Sequence, residues 1–196
     1  MKFYKPKFWQ NNNFLAILLY PLSLITHILN FYKKLSKKNI FKIKTICVGN
    51  LYIGGTGKTT VAIEIYKILK KKYKTVFIKK NYENQIDEIN LLRNKGAIIS
   101  KKSRIGSLIS AQKNGFKLAV IDDGLQQKNI KYDLKIACFN SQEGYGNSYL
   151  LPAGPLRESM DELKYYDVII INGEKNNTKL KKKIKETSKN IKIFEG

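Results

Sequence analysis

Histidine, cysteine, arginine and acidic residues are all scarce in this 196-residue chain. The two cysteines, Cys47 and Cys138, lie far apart, which excludes a disulfide scaffold and a cysteine-rich zinc module. His27 is the single histidine, so a histidine-based metal centre is excluded as well. Arginine occurs only at positions 93, 104 and 157. With no zinc finger, no RNP-like strand and no patterned arginine/aromatic stripe, nucleic acid is not an expected partner. The chain has no internal repeat.

What is present in excess is lysine. Lys+Arg total 37 against 15 Asp+Glu, a formal net charge of +22. Asparagine and isoleucine are abundant too, and this bias reads as lysine serving as the default solvated residue. A basic field also favours an anionic membrane surface. Hydrophobic residues make up 43% of the chain, enough for a buried core, and the length suits one domain or one domain with an added segment.

Phe14 to Phe31, FLAILLYPLSLITHILNF, is eighteen residues without a formal charge. As a helix it would be about 27 Å long, close to the roughly 30 Å of a bilayer core. Pro21 interrupts it, and Ser23, Thr26, His27 and Asn30 dilute it. Phe8 and Trp9 precede it, Phe31 and Tyr32 close it, and lysines flank both ends at 2, 5, 7, 33, 34, 37 and 38. Aromatic and basic flanks suit a membrane interface. A buried core helix is the competing reading; a cleaved signal peptide is disfavoured because no small-residue cleavage site follows.

From residue 42 strands and helices alternate. Strands are expected at Lys44–Gly49, Thr75–Ile78, Ala97–Ser100, Leu118–Ile121, Leu134–Phe139 and Val168–Ile171. Helices are expected at Thr59–Lys70, with Ala62, Ile65, Tyr66 and Leu69 on one face, at Ile86–Asn94 ending at Gly96, and from a Ser103 cap to Asn114 before Gly115. This alternation predicts an α/β fold with a parallel sheet covered on both faces. The expected organisation is a membrane-associated helix and basic flank over 1–40, a P-loop core over 41–172 and, over 173–196, the lysine-rich start of a missing or reduced C-terminal lobe.

Three segments carry chemistry. Gly54-Gly55-Thr56-Gly57-Lys58-Thr59 lies between the first strand and the first core helix. Glycines let backbone N–H groups approach a phosphate, and the helix N-terminus adds favourable potential. Lys58 is placed to reach β- and γ-phosphates and Thr59 to offer its hydroxyl to Mg²⁺. The usual pattern G-x-x-x-x-G-K-S/T has a glycine where this chain has Tyr52, so the cofactor-binding stretch is taken as Tyr52, Ile53 and Gly54 to Thr59. Next, Leu118 to Gly124, LAVIDDG, is an apolar strand ending in acids. A carboxylate at the carboxyl edge of a parallel sheet can hold Mg²⁺, and Asp122 and Asp123 can divide the metal and catalytic roles. Third, Gly144 to Glu158, GYGNSYLLPAGPLRE, is a shaped loop with three glycines and two prolines. It carries Arg157, whose guanidinium suits bidentate phosphate binding. Asp87 and Glu88, by composition alone, are ordinary first-turn helix acids.

Together these segments resemble the tetraacyldisaccharide 4′-kinase (lipid A 4′-kinase) family. VGNLYIGGTGKTT (48–60) is similar to that family's VGN-x-x-x-GGTGKT loop, IDDGLQQ (121–127) to its DDG-F/L-QH motif, and GYGNSYLLPAGPLRE to its LLPAGPLRE signature. The N-terminal FW and LLYPLS (19–23 within it) match its membrane-associated N-terminal segment. The resemblance implies a P-loop NTPase-like fold, ATP and Mg²⁺, and transfer of a γ-phosphate to the 4′-hydroxyl of a tetraacylated glucosamine disaccharide 1-phosphate at the cytoplasmic face of the inner membrane. It implies Asp87 as the base in a segment similar to the family's G-D-E-P-x-L-L, with Lys58 and Asp123 also catalytic, Thr59 and Asp122 on the metal, and Arg157 and Asn147 toward the substrate.

Departures from the pattern are Gln127 for the motif's histidine and Lys79-Lys80-Asn81-Tyr82-Glu83 for its SRGYG. The family chain also continues past Ile193-Phe194-Glu195-Gly196, so the expectation is the nucleotide-binding part of a larger kinase. Two other readings stay open: an inactive nucleotide-binding remnant, and a membrane-associated P-loop switch ATPase. Against the latter, Ile53 stands where such ATPases carry a second lysine.

Overall fold

Buried parallel strands need near-continuous apolar runs, and amphipathic helices must cover both sheet faces. The computed structural model, which describes residues 5–11, 13–82, 85–174 and 176–196, has this form. The flanking Lys2 and the expected motif position Glu83 lie outside the described residues. The strands are β1 (Lys44–Gly49), β2 (Thr75–Lys80), β3 (Ile98–Lys101), β4 (Leu118–Asp122), β5 (Leu134–Asn140), β6 (Val168–Asn172) and β7 (Lys192–Glu195). The helices are α1 (Phe14–Lys34), α2 (Lys58–Leu69), α3 (Ile86–Arg93), α4 (Arg104–Lys113) and α5 (Thr178–Thr187), with a short 3-10 helix at Met160–Tyr165. The strands form one parallel seven-stranded sheet in the order β3-β2-β4-β1-β5-β6-β7. The expected elements recur within one or two residues. Absent from the sequence reading were the 3-10 helix, α5 and β7, whose lysine-rich segments hide short apolar stripes.

Two compact units divide the contacts. The first holds Lys37–Gly49 and Lys58–Ile136. Its core is the β1, β2 and β4 run of Cys47, Val48, Val76, Phe77, Ile78, Ala119, Val120 and Ile121, all fully buried. Tyr66 of α2 stacks on Phe77 with ring centroids 4.1 Å apart, and its hydroxyl accepts the Ala97 N–H at 3.0 Å. A side chain at Gly96 would strike that hydroxyl at 2.1 Å, so the glycine past α3 is required by close approach. Ser103 caps α4 by accepting the Gly106 N–H.

The second unit holds the chain up to Ser36, Asn50–Gly57 and Ala137–Gly196. Here α1 begins at Asn13, whose side chain accepts the Ala16 N–H. The polar residues that dilute its apolar sequence turn out to dock it. Ser23 Oγ donates to Leu150 O at 2.8 Å and accepts from Ala153 N at 3.1 Å; Thr26 donates to Leu151 O at 2.8 Å and Asn30 to Arg157 O at 2.9 Å. Their i, i+3, i+7 spacing makes one stripe. Only Ala16 and Ser23 are buried in α1, while Phe14, Leu15, Ile17, Leu18, Leu22, Ile25, Ile28 and Leu29 are exposed. Among the described residues α1 is the one helix long and apolar enough to cross a membrane. Residues 173–196, expected as a separate lysine-rich segment, form α5 and β7, and β7 pairs in parallel with β6.

Candidate nucleotide and phosphoryl-transfer site

β1 and β4 are neighbours, with Val48 opposite Asp122. Asp122 therefore sits at the carboxyl end of β4, fully buried. Thr59, in the first turn of α2, donates its hydroxyl to Asp122 Oδ2 at 3.2 Å. The other oxygen, Asp122 Oδ1, is buried with no hydrogen-bond partner. A buried carboxylate oxygen without a donor is costly unless a cation or water meets it. A hydroxyl and a free carboxylate oxygen side by side match the oxygen donors of Mg²⁺. The predicted metal residues Thr59 and Asp122 are thus brought together and fit such an ion.

Asp122 has a second partner that sequence reasoning missed. Lys79, at the end of β2, is 1% exposed and donates to Asp122 Oδ2 at 2.6 Å. It also pairs with Glu88 of α3. Burial pulls the Lys79 pKa down, but the two carboxylates outweigh this and leave it above its ordinary value. The available signal was register: Ile78 pairs with Ile121, which sets Lys79 beside Asp122. Asp87, the predicted base, is exposed in the first turn of α3, so it is not drawn into this buried group.

Asp123 adopts a left-handed backbone (φ 58°), a conformation that aspartate tolerates better than most residues. Its N–H donates to Val48 O at 2.8 Å, and its carbonyl accepts from Arg104 of α4. Arg104 also donates to Gln127 at 3.2 Å, so the residue standing in for the motif's histidine helps to hold an arginine. A side chain at Gly124 would strike Ile121, Cys47 and Tyr132, and burial pushes the Cys47 thiol up to about 12.

The phosphate loop leads along the chain into α2 at Lys58. Gly54 and Gly57 have φ of 117° and 75°, the backbone freedom the sequence called for. Asn172, at the end of β6, donates to Thr56 O at 2.6 Å, and a side chain at Gly57 would meet it at 2.6 Å. Asn172 was missed by sequence reasoning and buttresses the loop. Among the described residues, Thr56 Oγ1 is buried without a partner, and a side chain at Gly55 would meet nothing within 4 Å. With respect to the described residues the loop is therefore open on the Gly55 side, as an anion cradle requires.

Tyr52 and Ile53 are used differently from the expectation. Tyr52 is buried and its hydroxyl donates to Glu143 at 2.7 Å, while the Ile53 N–H donates to Pro155 O at 2.9 Å. These bonds tie the loop's first residues to the LLPAGPLRE segment and leave the Ile53 N–H occupied. Arg157 reaches the same loop: it donates to Asn50 Oδ1 at 2.9 Å, and Asn50 in turn donates to Tyr52 O at 2.5 Å and Gly54 O at 3.2 Å. Asn147 donates to Ala153 O at 2.9 Å and Phe8 O at 3.2 Å and accepts from Tyr149 N at 3.1 Å, so its amide shapes the loop. A cavity of ≈ 180 Å³ lies where α1 meets this loop, lined by Tyr20, Ser23, Leu24, His27, Ser148 and Tyr149 among others.

Comparison with known proteins places this arrangement. Residues 15–195 match the family model LpxK, tetraacyldisaccharide-1-P 4′-kinase. A tetraacyldisaccharide 4′-kinase of Pelagibacter ubique is 47% identical over 200 residues, covering 100% of this chain and 64% of that protein. One from Rickettsia canadensis is 34% identical over 176 residues, covering 81% of this chain and 54% of that protein. The chain thus spans less than two thirds of the length of these relatives. Among solved structures, LpxK from Aquifex aeolicus, crystallised in complex with ATP, superposes with a TM-score of 0.72 at 22% identity, covering 92% of this chain and 64% of that one. The hydrogenase maturation factor HypB of Archaeoglobus fulgidus superposes with a TM-score of 0.52 at 14% identity, covering 90% of this chain and 88% of that one, and shares the fold only. With the family model matched from residue 15 to residue 195, this chain belongs to the tetraacyldisaccharide 4′-kinase family.

Proposed function

We propose that the protein transfers the γ-phosphate of ATP to the 4′-hydroxyl of a tetraacylated glucosamine disaccharide 1-phosphate, giving the bisphosphorylated lipid. The observation that carries this reading is the buried Asp122 carboxylate, which holds the Thr59 hydroxyl on one oxygen and leaves the other without a partner. The phosphates of ATP lie along the N–H groups from Gly54 to Thr59, and Lys58 offsets their charge. Thr59 and Asp122 would hold Mg²⁺, which would supply neutralisation of phosphate charge. Asp87 orients the sugar hydroxyl and takes its proton as the new O–P bond forms and the bond to the ADP oxygen breaks. Asp123 is assigned the second catalytic role, and Arg157, carried by the loop that α1 docks on, is assigned to the anionic substrate. Asn147 shapes that loop on the substrate side.

The exposed apolar side of α1 with its lysine flanks supports attachment at the cytoplasmic face of the inner membrane, where the lipid substrate would be met. The cavity lined by Tyr20 and His27 opens onto part of that substrate. In this reading residues 1–40 are assigned to the membrane-facing segment and 41–172 to the phosphoryl-transfer core.

A transfer assay with labelled γ-phosphate and the disaccharide lipid tests this. Lys58→Ala abolishes transfer. Asp87→Asn keeps ATP binding and lowers kcat by roughly 100-fold, the low end for a lost general base. Retained turnover in Lys58→Ala removes the phosphate-loop assignment, and loss of ATP binding in Asp87→Asn moves that residue to the nucleotide site.

A further inference from the structure

Lys79 is the most deeply buried lysine of the first unit, and its surroundings are specific. Its ammonium has Asp122 Oδ2 at 2.6 Å and Glu88 as a second carboxylate partner. Asp122 Oδ2 also receives Thr59. Both protein donors therefore sit on one carboxylate oxygen, and Oδ1 is the oxygen left over. Glu88 follows Asp87 directly in the first turn of α3. One ammonium thus links the end of β4 to the helix that bears the proposed base. A surface ion pair would be worth little, but Lys79 is 1% exposed and Asp122 is fully buried. Removing the cation from such a pair leaves uncompensated buried charge.

We propose that Lys79 is a positioning residue: it holds the Asp122 carboxylate in the one rotation that presents Oδ1 to a divalent cation, and through Glu88 it tethers the Asp87 helix to that cation site. The proposal rests on the nucleotide-site reading above. With Lys79 present, two carboxylates share one ammonium. Without it, Asp122 loses the partner that fixes its rotation and Glu88 loses its tether, so metal binding weakens while α3 loosens.

The test uses the 196-residue chain with ADP and Mn²⁺, the bound metal being read from the loss of the free-Mn²⁺ paramagnetic signal and α3 from amide hydrogen exchange. Lys79→Met binds Mn²⁺ roughly tenfold more weakly, as expected when the group that orients a metal-facing carboxylate is lost. In the same variant the amides of Ile86–Arg93 exchange faster. Lys79→Arg, which restores the charge, returns both readouts toward wild type and guards against a folding defect in the methionine variant. Unchanged or tighter Mn²⁺ binding in Lys79→Met, or unchanged exchange in α3, overturns the proposal while leaving the nucleotide site in place. Absence of ADP-dependent Mn²⁺ binding in the wild type overturns the nucleotide-site reading, and the Lys79 assignment with it.

Discussion

Glu143 shows how one side chain can anchor a loop whose own sequence lacks the usual first glycine. It accepts from Tyr52 at 2.7 Å and Gln10 at 2.9 Å and pairs with Lys5 at 2.8 Å. Burial raises the carboxyl pKa, but the bonds from Lys5 and Tyr52 outweigh it and hold it below its ordinary 4.5. A lowered folded pKa means stability that is fully present above the unfolded value and lost as pH falls through the folded one. Glu143→Gln is accordingly less stable than wild type by about 1–2 kcal/mol at neutral pH, the lower part of what hydrogen bonds to a charged group contribute once its partial exposure is discounted. That gap closes as pH drops below 4.5. Chemical denaturation of both proteins at several pH values checks this, and a gap independent of pH refutes the charged role.

At the scale of the element, α1 is a helix whose apolar composition and whose attachment have different owners. Its leucines and isoleucines face outward, while Ser23, Thr26 and Asn30 make the bonds to the 150–157 segment. By sequence, those polar residues weaken a membrane span; in the fold, they dock the helix. Ser23→Val leaves the Leu150 carbonyl and the Ala153 N–H unpaired in a buried place, a loss of about 2 kcal/mol, or a Tm fall of roughly 4–8 °C for a chain of this size. Faster proteolysis within 148–153 accompanies it. A thermal melt matching wild type would show that the helix does not depend on these bonds.

The whole molecule carries +22 together with one exposed apolar helix surface, and either could hold it on a membrane. The two are separable because charge attraction is screened by salt and apolar insertion is not. In sedimentation with vesicles of anionic phospholipid, Leu18→Glu combined with Ile25→Glu releases the protein at 0.5 M salt, where wild type stays bound. Equal sedimentation of both at that salt concentration assigns the attachment to the lysine surface.

Much of this protein is legible in its linear sequence, for local physical reasons. The β1 run KTICVG, the glycine-rich turn and the start of α2 identify themselves, because strand, turn and helix N-terminus each follow from neighbouring residues. LAVIDDG, similarly, reads as a buried strand ending in acids. The family follows from three such segments in order. The chain alone could not show which partners those residues take. Parallel register set Lys79 beside Asp122, β6 delivered Asn172 under the loop at Thr56, and the 144–158 loop took up the Ile53 N–H. Each of these joins residues tens of positions or more apart, so no local propensity encodes it. The sequence by itself determined most of the elements, though not α5 and β7, and the residue types they carry. Only the tertiary structure decided that one buried lysine ties Asp122 to the helix that bears Asp87, because a buried charge takes its partner from whichever strands and helices the fold packs around it.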